Sequence, residues 1–106
     1  MRALCQLTDI PNGEAKAFPY NEQHTLLVTR RGLQAWAYVN RCPHAGVPLE
    51  WQENRFMSLD GSQLQCSTHG ALFNVDNGYC TWGPCQGRRL QSLPITIENG
   101  VIYLLE

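Results

Sequence analysis

The sequence predicts an all-β domain built from antiparallel hairpins, with strands spaced as in a sandwich or small barrel. Short apolar runs alternate with turn residues along the chain, and several of them show a period of two. Two Asn-Gly pairs, at 77–78 and 99–100, mark tight turns between such runs. No segment shows a helical period with capping residues at both ends.

Taken in order, residues 2–7 read as a first strand. Residues 14–17 read as a turn of helix that Pro19 stops. Residues 23–30 (QHTLLVTR) and 33–40 (LQAWAYVN) flank Arg31-Gly32 and read as a hairpin. In its second arm Leu33, Ala35, Ala37 and Val39 alternate with Gln34, Trp36 and Tyr38. Asp60-Gly61 precedes a short strand at 63–66. Strands at 72–75 and 79–81 flank Asn77-Gly78, and strands at 94–98 (PITIE) and 101–105 (VIYLL) flank Asn99-Gly100. The interval 41–60 is less regular, and an irregular stretch of that length in a small domain has a functional reason.

The chain has 106 residues, which suits one domain spanning 1–106 with a modest core that a bound metal centre would help hold. Eight Lys and Arg against nine Asp and Glu leave no basic face for nucleic acid. No apolar run is long enough for a membrane span. The opening MRALCQLTDI lacks the charged-then-apolar pattern of a signal peptide, so the expected location is the cytoplasm.

Five cysteines (Cys5, Cys42, Cys66, Cys80, Cys85) are an odd number, which argues against a disulfide framework. Cys5 and His24 stand alone and read as structural. The other histidines stand beside cysteines. Cys42-Pro43-His44 is Cys-x-His, and Cys66-Ser67-Thr68-His69 is Cys-x-x-His. Each follows a predicted strand and ends in a glycine turn, at Gly46 and Gly70. Two such loops bring two sulfurs and two nitrogens together. That set suits tetrahedral zinc, and it suits a two-iron cluster with thiolates on one iron and imidazoles on the other. Zinc fingers pair Cys with Cys and His with His. Here each loop supplies one of each, as a binuclear cluster requires.

CPHAG and CSTHG resemble the two cluster-binding boxes of the Rieske [2Fe-2S] family, and the resemblance runs along most of the chain. It implies a Rieske-like sandwich with a cluster-binding subdomain at roughly 40–86. It also implies one [2Fe-2S] cluster per chain, with Cys42 and Cys66 on the inner iron and His44 and His69 on the outer iron. Glycines such as Gly46 and Gly70 would turn backbone N–H groups toward the bridging sulfides. The surplus between the boxes, PLEWQENRFMSLDG, reads as an extended loop beside the cluster. Gly83-Pro84-Cys85 sits where the family has a proline loop over a third side.

Respiratory members carry an extra cysteine in each box and a serine and a tyrosine that donate to cluster sulfur. The matching positions here are Val47, Thr68, Ala71 and Phe73. Fewer donors disfavour the reduced state, so the expected potential lies toward the bottom of the Rieske range of about −150 to +300 mV.

The resemblance thus implies a soluble Rieske-type ferredoxin, a one-electron carrier with no catalytic residue of its own. Its expected partners are a flavoprotein reductase and an oxygenase or other redox enzyme, docking at the edge formed by His44 and His69. Rim residues Pro43, Pro84 and Trp51 are expected there too; Trp51 and Trp82 suit core packing equally well. Alternatives are a small subunit of a redox enzyme such as a nitrite reductase, and a zinc-stabilised binding module. Cys80 and Cys85 read as thiols that pair, ligate or stay free, with free thiols favoured. Cys85 is placed to tune the solvent exposure of the cluster.

Overall fold

The computed structural model describes residues 1–43, 46–50, 52–68 and 70–105. Its strands fall where the apolar runs do. They are β1 (Arg2–Gln6), β2 (Ala15–Pro19), β3 (Thr25–Arg31), β4 (Gln34–Val39), β5 (Gln63–Gln65), β6 (Leu72–Asn74), β7 (Cys80–Trp82), β8 (Ser92–Leu93), β9 (Ile95–Glu98) and β10 (Val101–Leu104). A 3-10 turn, Leu7–Asp9, follows β1. The strands form three sheets, ordered β1-β10-β9, β2-β3-β4-β8 and β5-β6-β7, and every named pair is antiparallel.

The four-stranded sheet is central because both of its faces are apolar. Leu26 and Val28 of β3 and Ala37 of β4 pack with Ile102 and Leu104 of the terminal sheet. Leu27 and Tyr38 point the other way, into a core with Leu64, Phe73, Cys42 and Cys66. The alternation in β4 therefore separates two buried faces. Trp36 and Tyr38 pack toward one core, and Ala35 and Ala37 toward the other.

Two expectations are corrected. Residues 14–17 are not helical. Ala15–Pro19 is an edge strand paired from Ala15↔Thr29 to Pro19↔Thr25. Pairing with the apolar β3 overrides the local helix preference of Glu-Ala-Lys-Ala, and Pro19 is tolerated at the end of an edge strand. Asn77-Gly78 does not form a two-residue turn. Gly78 N–H donates to the Asn74 carbonyl and Asn74 N–H to the Tyr79 carbonyl, both at 2.9 Å, closing a four-residue loop. Asn99-Gly100 does turn in two residues, with φ of 52° and 77° between the paired Glu98 and Val101.

The surplus between the boxes has no strand or helix of its own among the described residues, and it also contributes to the core. Leu49 and Phe56 are fully buried in the core that holds Cys42 and Cys66. The Phe56 carbonyl accepts Gln65 N–H at 2.7 Å, and Met57 bridges to Leu64.

Candidate metal centre

Cys42 lies three residues beyond the end of β4, and Cys66 immediately follows β5. Both are buried. Their loops close with one hydrogen-bond pattern. Cys42 N–H donates to the Val47 carbonyl at 2.8 Å, and Gly46 N–H donates to the Cys42 carbonyl at 2.8 Å. Cys66 N–H donates to the Ala71 carbonyl at 2.8 Å, and Gly70 N–H donates to the Cys66 carbonyl at 2.9 Å. The loop from Asn74 to Tyr79 repeats this ring without a cysteine. Each loop has glycine at its fourth position, with φ of 71° at Gly46, 70° at Gly70 and 71° at Gly78. A residue with a Cβ pays a steric penalty there, so this turn selects glycine. The N–H groups of Gly46 and Gly70 are engaged by the cysteine carbonyls, so these two groups are not the ones that would reach a sulfide.

A buried Asn40, with half-buried Glu50 and Asn54, braces the first loop. The Asn40 side chain accepts Leu49 N–H at 3.0 Å and donates to Thr25 Oγ1 at 3.0 Å and Glu50 Oε1 at 2.7 Å. Glu50 Oε2 accepts Asn54 N–H at 3.3 Å, and Asn54 Oδ1 accepts Ala17 N–H at 2.9 Å. The return of loop one is thus tied to the central sheet. The two loops are tied to each other by Ser67 N–H donating to the Leu49 carbonyl at 2.8 Å. Asn40 and Glu50 escaped sequence reasoning because a polar residue at the end of a strand or in an irregular stretch reads as solvated. The nearest signal was the length of the stretch itself.

The segment after β7 closes a third side. A Cβ on Gly83 would stand 2.8 Å from Ala71 Cα, so the segment passes directly over the end of loop two. Arg88 Nη1 donates to the Pro43 carbonyl at 3.2 Å, which pins the segment to loop one. Cys85 is buried inside it, with Sγ 3.0 Å from Cys80 Sγ. Its thiol is pushed up to about 12, first by burial, then by the hydrogen bond to Cys80 and by the Cys80 and Cys42 thiols nearby.

The structure thus brings Cys42 and Cys66 into one core beside Cys80 and Cys85. His44, His69 and Trp51 lie outside the described residues. His24 sits elsewhere, where its carbonyl accepts Tyr20 and Asn21 N–H. Cys5 packs against the other core, and burial, with Asp9 adding to it, raises its thiol to about 11. Trp82 is 60% exposed and Pro84 is exposed, so Trp82 is a surface residue and not core. Ala71 and Phe73 are fully buried, whereas Val47 and Thr68 are exposed.

The donor chemistry fits an iron–sulfur centre. Two buried thiols stand on matched loops, each loop carries a histidine in its sequence, and no cysteine is consumed in a disulfide. Among the described residues no three His, Cys, Asp or Glu side chains converge on a metal site.

The comparisons agree with this fit. The family model for the Rieske [2Fe-2S] domain matches residues 1–96. The ferredoxin component of the p-cumate 2,3-dioxygenase system of Pseudomonas putida is 29% identical over 95% of this chain and 81% of its own length. The cytochrome b6-f complex iron-sulfur subunit of Chlorobaculum tepidum is 31% identical over 96% of this chain, which spans 51% of that protein. Among solved structures, a chain in a complex of reduced oxygenase and oxidised ferredoxin of carbazole 1,9a-dioxygenase superposes with a TM-score of 0.78. It is 25% identical over 96% of this chain and 89% of that one.

The fold and the site define an all-β iron–sulfur protein. The chain belongs to the Rieske [2Fe-2S] domain family. It carries one [2Fe-2S] cluster per chain and is an electron-transfer protein of the ferredoxin kind, not a catalyst in its own right. A zinc-stabilised module is thereby set aside. Among the described residues no helix is long and apolar enough to cross a membrane.

Proposed function

We propose that this protein is a low-potential one-electron carrier between a flavoprotein reductase and a terminal oxygenase, working in the cytoplasm. Cys42, His44, Cys66 and His69 hold the cluster, in a subdomain spanning roughly 40–86 of a single domain, 1–106. The cluster supplies the electron chemistry, accepting and releasing one electron. The chain supplies position: loops one and two fix the two sulfurs, Asn40 anchors loop one, and Gly83 and Arg88 hold a covering segment over both. In this reading partners dock at an edge supplied by His44 and His69, and the exposed Val47 of loop one and Trp82, which lies against Gly70 of loop two, add the small apolar contact that suits brief association. The ferredoxin–oxygenase complex of carbazole 1,9a-dioxygenase supports an oxygenase as the acceptor.

One observation carries the low potential. Ala71 and Phe73, fully buried beside the loops, have no hydroxyl to donate to sulfur. Voltammetry is expected to give a value in the lower half of the range of about −150 to +300 mV. A value in the upper half overturns the low-potential reading. EPR of the reduced protein tests the ligands separately. A rhombic signal of low average g is expected, and its persistence in His69→Ala would remove His69 from the ligand set.

A further inference from the structure

We infer that Cys80 and Cys85 form a second reactive site, a dithiol that closes to a disulfide by exchange with a low-molecular-weight disulfide. Cys80 opens β7, where it pairs with Phe73, and its N–H is held by the Arg88 carbonyl at 2.8 Å. Cys85 lies on the loop that β7 feeds, and the two Sγ atoms are 3.0 Å apart.

That separation decides the chemistry. Two sulfurs sharing one tetrahedral metal at about 2.3 Å each would stand about 3.7 Å apart, wider than this pair. Among the described residues no third His, Cys, Asp or Glu joins them as a metal site. A disulfide needs about 2.0 Å, a closure of about 1 Å shared between two side chains. The sulfurs are thus placed for bonding to each other.

Access comes from the loop. Cys85 is the one buried residue between 81 and 89, and its neighbours on both sides are exposed or half-buried. The loop's own backbone bonds are few, Gln86 N–H to the Gly83 carbonyl at 3.1 Å and Arg88 N–H to the Cys85 carbonyl at 2.9 Å. A local opening that breaks the Arg88–Pro43 contact and lifts Cys85 out of the core exposes its thiol without unfolding the sheets.

The exchange balances in two steps. One cysteine sulfur attacks a sulfur of the external disulfide, bonds to it and breaks its S–S bond. The released thiol takes the proton. The second cysteine sulfur then attacks the mixed disulfide on the protein, forms the Cys80–Cys85 bond and releases a second small thiol. Two protein thiols lose two electrons, and one external disulfide gains them. The product straps β7 to the segment that touches Ala71 and Pro43.

The test uses the holoprotein, held anaerobically with oxidised and reduced glutathione at ratios from equal to a hundredfold excess of the oxidised form. Acid quenching, denaturation, alkylation and trypsin follow. The tryptic peptide 56–88 contains Cys66, Cys80 and Cys85. The expected result is a fall from three labels to one as the oxidised form rises. A chymotryptic cut at Trp82 should then leave two fragments linked through Cys80 and Cys85. Dithiothreitol should restore three labels, and C85S should instead retain glutathione on Cys80. Three labels at every ratio, a linkage through Cys42 or Cys66, or the same loss of labels in C85S overturns the inference.

Discussion

The Tyr38 hydroxyl donates to the Val75 carbonyl at 2.8 Å, joining the central sheet to the sheet that carries the second cysteine loop. Both residues are buried. Tyr38→Phe keeps the ring and orphans the carbonyl, so it should cost about 1–3 kcal/mol in urea unfolding. Burial, and then Asp76, raise the phenol well above its usual range. A raised folded pKa means that this stability is whole below the unfolded value of about 10 and is lost as pH climbs past it. Wild type should therefore lose part of its advantage over Tyr38→Phe between neutral and strongly alkaline pH. An advantage that does not shrink would contradict the assignment.

Asn40 serves three partners at once: Leu49, Thr25 and Glu50. Asn40→Ala leaves the Leu49 N–H and a half-buried Glu50 carboxylate short of partners. The expected loss is about 2–4 kcal/mol. Hydrogen exchange should show its largest increase between 46 and 54, the return of loop one. Uniform acceleration across all three sheets would mean that the residue is only generally structural.

Two glycines of the covering segment separate strain from contact. Gly87 has φ of 92° and open space within 4 Å of where a Cβ would stand, whereas Gly83 has φ of 108° and would drive a Cβ to 2.8 Å from Ala71 Cα. Gly87→Ala should cost about 1–2 kcal/mol, from backbone conformation alone. Gly83→Ala should cost more and should also shift the spectrum of the metal centre, because Ala71 ends loop two. Equal costs, with no spectral change in either variant, would refute the close packing.

The turn at 58–62 depends on a carboxylate. Asp60 Oδ1 accepts from Ser58 Oγ at 2.7 Å, Ser62 N–H at 3.0 Å and Ser62 Oγ at 2.7 Å. The Ser58 hydroxyl, then Ser62, lower its pKa to about 2. A lowered folded pKa contributes stability above the unfolded value of about 3.9 that is lost as pH falls toward 2. Asp60→Asn keeps the acceptor and removes the charge. Its deficit against wild type should vanish on acidification through that window, and a deficit constant from pH 7 to 2 would exclude the charge as the cause.

The hairpin of β3 and β4 was legible because long β-branched runs around a short turn leave few alternatives. The β8 strand and the 3-10 turn at Leu7–Asp9 were not, since two or three residues carry no period. At 14–17 a local preference misled, because the partner strand that overrules it lies ten residues away. At the site, the cysteine and histidine types and their spacing were readable as chemistry. Cys80 and Cys85 were legible as neighbours in sequence free to pair, though not their 3.0 Å contact. The brace at Asn40 was not legible, because it joins a strand end to an unpatterned stretch.

The ring that closes both cysteine loops closes the Asn74–Tyr79 loop as well. The shape is therefore a turn that this chain also forms without a cysteine, with glycine fourth in each case, and it does not depend on a metal ligand. A fast electron relay is served by surroundings that stay put, and here the rigidity would come from ordinary turns closed by backbone hydrogen bonds.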